Sequence, residues 1–255
     1  MNYFLNEIPE RTEKPRKVGL TMAMDKGLSL REVEDFLSVS GEYIDIVKFG
    51  WGTSYVTPNL KEKIKLYKKA GIPTYFGGTL FEAFIIRGQF DDYVKVIEKY
   101  DLDFVEVSDG SIDLDHDVKC DYIQKLSKKV TVLSEVGSKD VDKIIPPYKW
   151  IKLMEEELDA GAWKVIGEAR ESGNVGLFRS SGEVRSGLVE EILTKIPFEK
   201  IIWEAPQKAQ QVWFIKLLGS NVNLGNIAPN EVIPLETIRL GLRGDTFSHF
   251  LQKES

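Results

Sequence analysis

Five charged residues stand inside or directly against short apolar runs, where charge is least expected. They are Lys48 in Ile-Val-Lys-Phe, Glu106 in Phe-Val-Glu-Val, Glu135 in Val-Leu-Ser-Glu-Val, Glu168 after Lys-Val-Ile-Gly and Glu204 after Ile-Ile-Trp. Charged side chains are rarely buried unless they are paired or hold a metal. A plain ion pair would account for any one of them, but a recurring set points to one shared site. Carboxylates converging on one place suit a divalent ion. All-oxygen donors without a histidine pair favour Mg²⁺ over zinc. Mg²⁺ takes only one or two carboxylates beside water and substrate, so Glu106, Glu135, Glu168 and Glu204 are expected to divide into ligands and supports. Lys139 follows Glu135 by four positions, in the loop after the fifth run, so Lys139 and Lys48 are the two ammonium groups expected beside these carboxylates. The two histidines, His116 and His249, are expected in a loop and in the C-terminal tail, so a Ser-His-Asp triad has no support.

A basic counterpart follows Glu168. It runs from Arg170 to Arg179-Ser-Ser-Gly-Glu-Val-Arg185. Arginines beside a helix N-terminus make a site for phosphate or sulfonate, so Arg170, Arg179, Ser181, Gly182 and Arg185 are expected to bind anions. The same stretch also reads as an ordinary capping box, with Ser180 and Glu183 opening a helix. Asn226 closes the last apolar run, near where barrels usually bind phosphate. The Gly77-Gly78-Thr79 turn is a weaker candidate for the same work.

These residues must be positioned by something regular. Apolar runs recur about every 30 residues, the length of one βα unit: Val18–Met22, Tyr43–Phe49, Thr74–Phe76, Phe104–Val107, Thr131–Leu133, Lys164–Gly167, Lys200–Trp203 and Asn221–Leu224. Most are rich in Val, Ile and aromatics, as buried parallel strands are. Amphipathic segments fill the gaps. The first is opened by the capping box Ser29-Leu-Arg-Glu32, and the second by Thr57 as N-cap with Pro58 behind it. Pro147 and Pro206 mark two further entries. Eight strands alternating with helices make either a closed barrel or a doubly wound sheet. Even spacing, and no Gly-x-Gly-x-x-Gly turn after the first strand, favour a single (β/α)8 barrel of class α/β. One domain is expected over residues 1–255, with 1–17 an arm that caps the barrel floor or reaches a neighbouring subunit, and 246–255 a tail. In such a barrel, chemistry gathers at the C-terminal strand ends, where all the residues above fall.

The bulk numbers agree. A chain of 255 residues suits one α/β barrel. The net charge of −6 argues against nucleic acid as a partner. No run approaches the length needed to span a membrane, and the start lacks an apolar h-region. The single Cys120 fits a reducing compartment, so a cytoplasmic enzyme is expected. Trp150, Trp163 and Trp213 on helical segments, if exposed, would mark the contacts of a homo-oligomer.

At these residues the sequence resembles the phosphosulfolactate synthase family over nearly its whole length. The likeness is carried by Lys14-Pro-Arg16, Asp25-Lys-Gly27, Asp45-Ile-Val-Lys-Phe-Gly-Trp-Gly-Thr-Ser54, Phe76-Gly-Gly-Thr-Leu-Phe-Glu82, Leu133-Ser-Glu-Val-Gly-Ser-Lys139, Glu168-Ala-Arg-Glu-Ser-Gly173, Glu204-Ala-Pro206 and Asn221-Val-Asn-Leu-Gly-Asn226. The resemblance implies a (β/α)8 barrel and a Mg²⁺-dependent lyase that adds sulfite to phosphoenolpyruvate, giving (2R)-phospho-3-sulfolactate on a path to coenzyme M or to sulfolactate; for that reaction Lys139 is the expected proton donor, with Lys48 as its rival. Plant heat-stress-associated 32-kDa proteins are similar too, so a non-catalytic stress protein is one alternative. Another is a barrel aldolase acting on a small phosphorylated substrate, for which Lys164 or Lys48 would form the imine.

Overall fold

The computed structural model describes residues 2–139 and 145–251. Eight parallel strands form one sheet: β1 (Thr21–Asp25), β2 (Ile46–Phe49), β3 (Thr74–Phe76), β4 (Phe104–Val107), β5 (Thr131–Val136), β6 (Lys164–Gly167), β7 (Ile201–Glu204) and β8 (Leu224–Ile227). Their order, β3-β2-β1-β8-β7-β6-β5-β4, is that of a (β/α)8 barrel closed everywhere except between β3 and β4. The helices are α1 (Leu30–Ser40), α2 (Thr53–Val56), α3 (Leu60–Lys69), α4 (Gly78–Ile85), α5 (Phe90–Tyr100), α6 (His116–Ser127), α7 (Pro147–Asp159), α8 (Ser186–Leu193), α9 (Lys208–Leu218), α10 (Val232–Arg239) and α11 (Phe247–Phe250). Among the described residues, no helix is long and apolar enough to cross a membrane.

The pleat sorts side chains by period two. Met22, Ile46, Tyr75, Leu133, Ile166 and Ile202 pack together inside the barrel. Two positions further along four of those strands stand Lys48, Glu135, Glu168 and Glu204; Glu106 follows Phe104, which packs against the same cluster, in the same way. An apolar layer therefore lies beneath a charged one. Residues of the opposite parity, such as Val47, Val105, Val165 and Trp203, belong to the larger core between barrel and helices.

Several strands and caps differ from the sequence reading. β1 and β8 each begin three residues later than expected, so Asp25 and Asn226 are strand residues. Thr57 does not open α3; it ends α2, its hydroxyl donating to Thr53 O at 2.8 Å, and Asn59 in the left-handed region precedes α3. Ser29 and Glu32 do form the expected reciprocal cap, and Pro147 opens α7. The arm caps the floor: Arg11 pairs with Glu236 at 2.9 Å and Arg16 with Asp45 at 3.2 Å. The last four residues of the expected tail lie outside the described residues; its start carries α11. Trp150 is buried, while Trp163 and Trp213 are half-buried against Phe104 and Phe214. None of the three is an exposed surface aromatic.

Candidate active site

The charged layer forms the base of a cavity of about 460 Å³ at the C-terminal strand ends. That size and position are usual for a small-molecule site on this fold. Lys48 rises from β2 and is 5% exposed. Its Nζ lies 3.0 Å from Glu106 Oε2, 3.1 Å from Glu204 Oε1 and 3.8 Å from Glu135 Oε2. Lys139, from the loop after β5, is nearer the opening. Its Nζ is 2.8 Å from Glu135 Oε1, 3.5 Å from Glu82 Oε1 and 3.7 Å from Glu168 Oε2, and donates to Ser108 Oγ at 3.1 Å. The Ser108 hydroxyl lies 2.6 Å from Glu82 Oε1 and 2.7 Å from Glu135 Oε1, linking α4, β4 and β5.

Glu106 has a separate task at the open seam. Its Oε1 accepts the backbone N–H of Gly78 at 2.6 Å, replacing a ladder bond that β3 and β4 do not make. Only glycine fits there. A Cβ on Gly78 would lie 2.4 Å from Ser108 Cβ and 2.8 Å from Glu106 Oε1. Glu106 therefore stands apart from the other expected metal ligands. Glu135, Glu168 and Glu204 remain together: one oxygen from each lies within 4.8 Å of the others, and all three are buried.

The electrostatics of this layer are unbalanced. Five buried carboxylates, those of Glu82, Glu106, Glu135, Glu168 and Glu204, face two ammonium groups among the described residues. Burial works against the Lys48 charge, but Glu106, Glu204 and Glu135 more than offset it and hold its pKa well above the ordinary lysine value. Burial is outweighed in the same way at Lys139, by Glu135, Glu168 and Glu82, which keep it charged. Burial also raises Glu135, yet Lys139 and Lys48 overcome it and keep that carboxyl below the usual range. Glu168 goes the other way: burial, then Glu135 and Glu204, push it well up. Burial raises Glu204 too, against the pull of Lys48. Glu168 Oε2 is buried and has no hydrogen-bond partner. A desolvated, all-oxygen, anionic donor set with one orphaned oxygen fits a hard divalent cation.

Three residues at the mouth share a feature of the backbone. Trp51, Arg170 and Asn226 line the cavity and all have positive φ, at 48°, 53° and 57°. Such conformations cost energy for non-glycine residues and gather where side chains must be aimed. Asn226 reaches its position through an extra residue in β8, where Leu224 to Ile227 pairs with Thr21 to Ala23. Its Oδ1 is buried and unpartnered. The Arg170 N–H donates to Glu168 Oε1, so the arginine turn also holds that carboxylate.

The remaining expected anion binders are not brought to the cavity. The chain from Phe178 to Val184 closes as a tight hairpin, with Arg179 N–H donating to Glu183 O at 2.8 Å and Gly182 at φ 83°. Helix α8 starts only at Ser186, without a side-chain cap, so Ser180 and Glu183 form no capping box. Arg179 is solvated and loosely paired with Glu183 at 3.7 Å. Ser181 Oγ accepts from Glu183 N–H at 3.4 Å, Gly182 packs by Gln207, and Arg185 donates to Gly176 O at 3.2 Å. These groups meet the turn, neighbouring loops or solvent, and none of them lines the cavity. Lys164 stands at the opposite end of the barrel from the cavity, bonded to Glu199 O, so it cannot form an imine there. His116 opens α6 rather than lying in a loop, with Nε2 3.2 Å from Glu156. Sequence reasoning passed over Ser111 on the cavity wall and left Trp51, Glu82 and Ser108 without a role.

Comparison with known proteins adds independent information. A family model described as (2R)-phospho-3-sulfolactate synthase matches residues 9–245. The chain is 49% identical over 235 residues to a phosphosulfolactate synthase of Methanocaldococcus jannaschii, covering 90% of this chain and 94% of that one. It is 42% identical over 250 residues to that of Bacillus subtilis, covering 97% and 99%. A more distant likeness, 21% over 263 residues, covers 91% of the chain and 90% of Protein HEAT-STRESS-ASSOCIATED 32 of Arabidopsis thaliana.

Proposed function

The chain belongs to the (2R)-phospho-3-sulfolactate synthase family, and from that premise we propose that it is a Mg²⁺-dependent carbon–sulfur lyase joining sulfite to phosphoenolpyruvate. The observation that carries this reading is the excess of buried carboxylate over ammonium at the cavity base. Such a site repels an anionic substrate unless a cation is bound with it. Glu135, Glu168 and Glu204 are the residues that would hold Mg²⁺, with Glu106 kept for the seam. When bound, Mg²⁺ supplies Lewis-acid polarisation of the substrate carboxylate.

The chain's own groups then divide the work. The sulfite sulfur attacks the methylene carbon C3 and forms the C–S bond. The C2–C3 π pair moves toward the carboxylate, which acts as the electron sink. Lys48, locked among three carboxylates, compensates charge at the base. C2 then takes a proton from the Lys139 ammonium, and the resulting amine recovers one from solvent. Lys139 suits this role better than Lys48 because its side chain is 15% exposed against 6%. Its neighbours keep it protonated at rest, and a carbanion-like C2 is basic enough to take that proton. Arg170 and Asn226 at the mouth are placed for phosphate or sulfonate oxygens.

A Lys139→Ala variant tests the assignment. Phosphoenolpyruvate binding by calorimetry should stay within about threefold of wild type while kcat falls by at least about 100-fold. Near-full turnover in a folded variant would remove Lys139 as the donor.

A further inference from the structure

Behind the strand ends lies a lysine buried more deeply than Lys48. Lys119, on α6, is 1% exposed. Its Nζ donates to Asp109 Oδ1 at 2.9 Å and to Glu135 O at 2.6 Å, and lies 2.8 Å from Glu157 Oε1 on fully buried α7 side-chain surface. The ammonium thus meets two hydrogen-bond acceptors and one ion-pair partner, from three different elements. Taking such a pair out of water carries a large desolvation penalty that its contacts must offset, and well-packed apolar residues are often no worse for stability. Stability alone therefore explains the arrangement poorly.

Both hydrogen-bond acceptors lie next to groups that hold Lys139. Glu135 O belongs to the residue whose carboxylate holds the Lys139 ammonium. Asp109 precedes Gly110, whose carbonyl accepts the Lys139 backbone N–H at 3.1 Å. The Lys139 stem lies along Gly110: a Cβ there would sit 3.1 Å from Cγ, 3.2 Å from Cδ and 3.3 Å from Cε. Lys119 thus ties together both walls of the groove in which Lys139 runs.

We propose that Lys119 is a positioning residue for Lys139, fixing the Asp109–Gly110 loop to the backbone of Glu135 and so the direction from which the proton reaches the substrate. The consequence for catalysis rests on the reading of Lys139 as proton donor; the consequence for Lys139 placement does not.

Two variants of the full chain test this. Lys119→Met/Glu157→Leu removes the buried pair together, leaving no lone charge between them. Asp109→Ala cuts only the link to the loop, at a side chain that is 27% exposed. The first readout is the rate at which Lys139 is acetylated by an amine-reactive ester, followed by mass spectrometry; the second is kcat and KM for sulfite addition. In both variants Lys139 should label at least about threefold faster, and kcat should fall at least about tenfold with KM for phosphoenolpyruvate within about twofold, as for a misplaced catalytic group. Wild-type labelling and wild-type kcat in folded variants would overturn the proposal. If the double variant does not fold, Asp109→Ala decides alone. Faster labelling with unchanged turnover would uphold the positioning and instead remove Lys139 as the donor.

Discussion

Glu168 is the residue whose ionisation the proposed cation would alter most directly. Its folded-state pKa is raised, so the fold favours its protonated form. The stability this gives is complete below the unfolded carboxyl value and is lost as pH rises through the raised folded value. Holding its charged form beside Glu135 and Glu204 therefore costs the metal-free protein stability as pH rises. Glu168→Gln should raise the Tm of metal-free protein at pH 7 by about 2–6 °C, and should abolish most of the Tm increase that millimolar Mg²⁺ gives wild type. Differential scanning calorimetry with and without EDTA checks both. A variant that is destabilised without metal, and still responds fully to Mg²⁺, would place the ion elsewhere. Much of this charged layer was legible in the sequence, because Ile166→Glu168, Ile202→Glu204 and Leu133→Glu135 each step from an apolar to a charged residue at strand spacing. Lys119 was not. A lysine within an amphipathic helix looks the same whether it faces water or, as here, the back of the site.

At the scale of elements, the seam between β3 and β4 is the place where one side chain substitutes for a ladder. Gly78→Ala forces a methyl against Ser108 and Glu106 Oε1. Neither neighbour can yield without breaking the Gly78 N–H bond or the Glu82–Ser108–Glu135 link. The expected cost is about 2–4 kcal/mol of stability in urea unfolding, together with a kcat loss of at least about tenfold. An unchanged urea midpoint would mean that the seam relaxes freely. The glycine pair was visible as a turn, but its tight fit to β4 depends on a neighbour 28 residues away. The hairpin from Phe178 to Val184 makes the opposite point. Ser180 and Glu183 have the spacing of a capping box, and only the pairing of Phe178 with Val184 decides that they lie in a turn instead. Local spacing identified the residue types there and misplaced four of the five expected anion binders.

Across the whole molecule the two ends of the barrel do different work. Charge is concentrated at the C-terminal end for chemistry, while the floor is sealed by the arm and by buried cations. Lys164 is one of these. Burial, then Lys200, lowers its pKa to about 8. The folded state thus disfavours its charged form; the cost is present below pH 8 and disappears as pH rises toward the ordinary value of 10.5. Lys164→Met should therefore raise Tm by about 3–8 °C at pH 7 and by less than about 2 °C at pH 10.5, with activity unchanged. Equal gains at both values would mean that packing, not charge, sets the effect. The eightfold alternation made the barrel legible, since even spacing of βα units leaves few other solutions.

The central claim, a cation-dependent union of two anions at the charged layer, is most directly tested by mixing the EDTA-treated protein with phosphoenolpyruvate and sulfite and following phosphorus-31 resonances. The expected result is no reaction until Mg²⁺ is added, then conversion to a single phosphorylated sulfonate with no release of inorganic phosphate. Full-rate product formation in EDTA, or no sulfite-dependent loss of phosphoenolpyruvate with Mg²⁺ present, would contradict it.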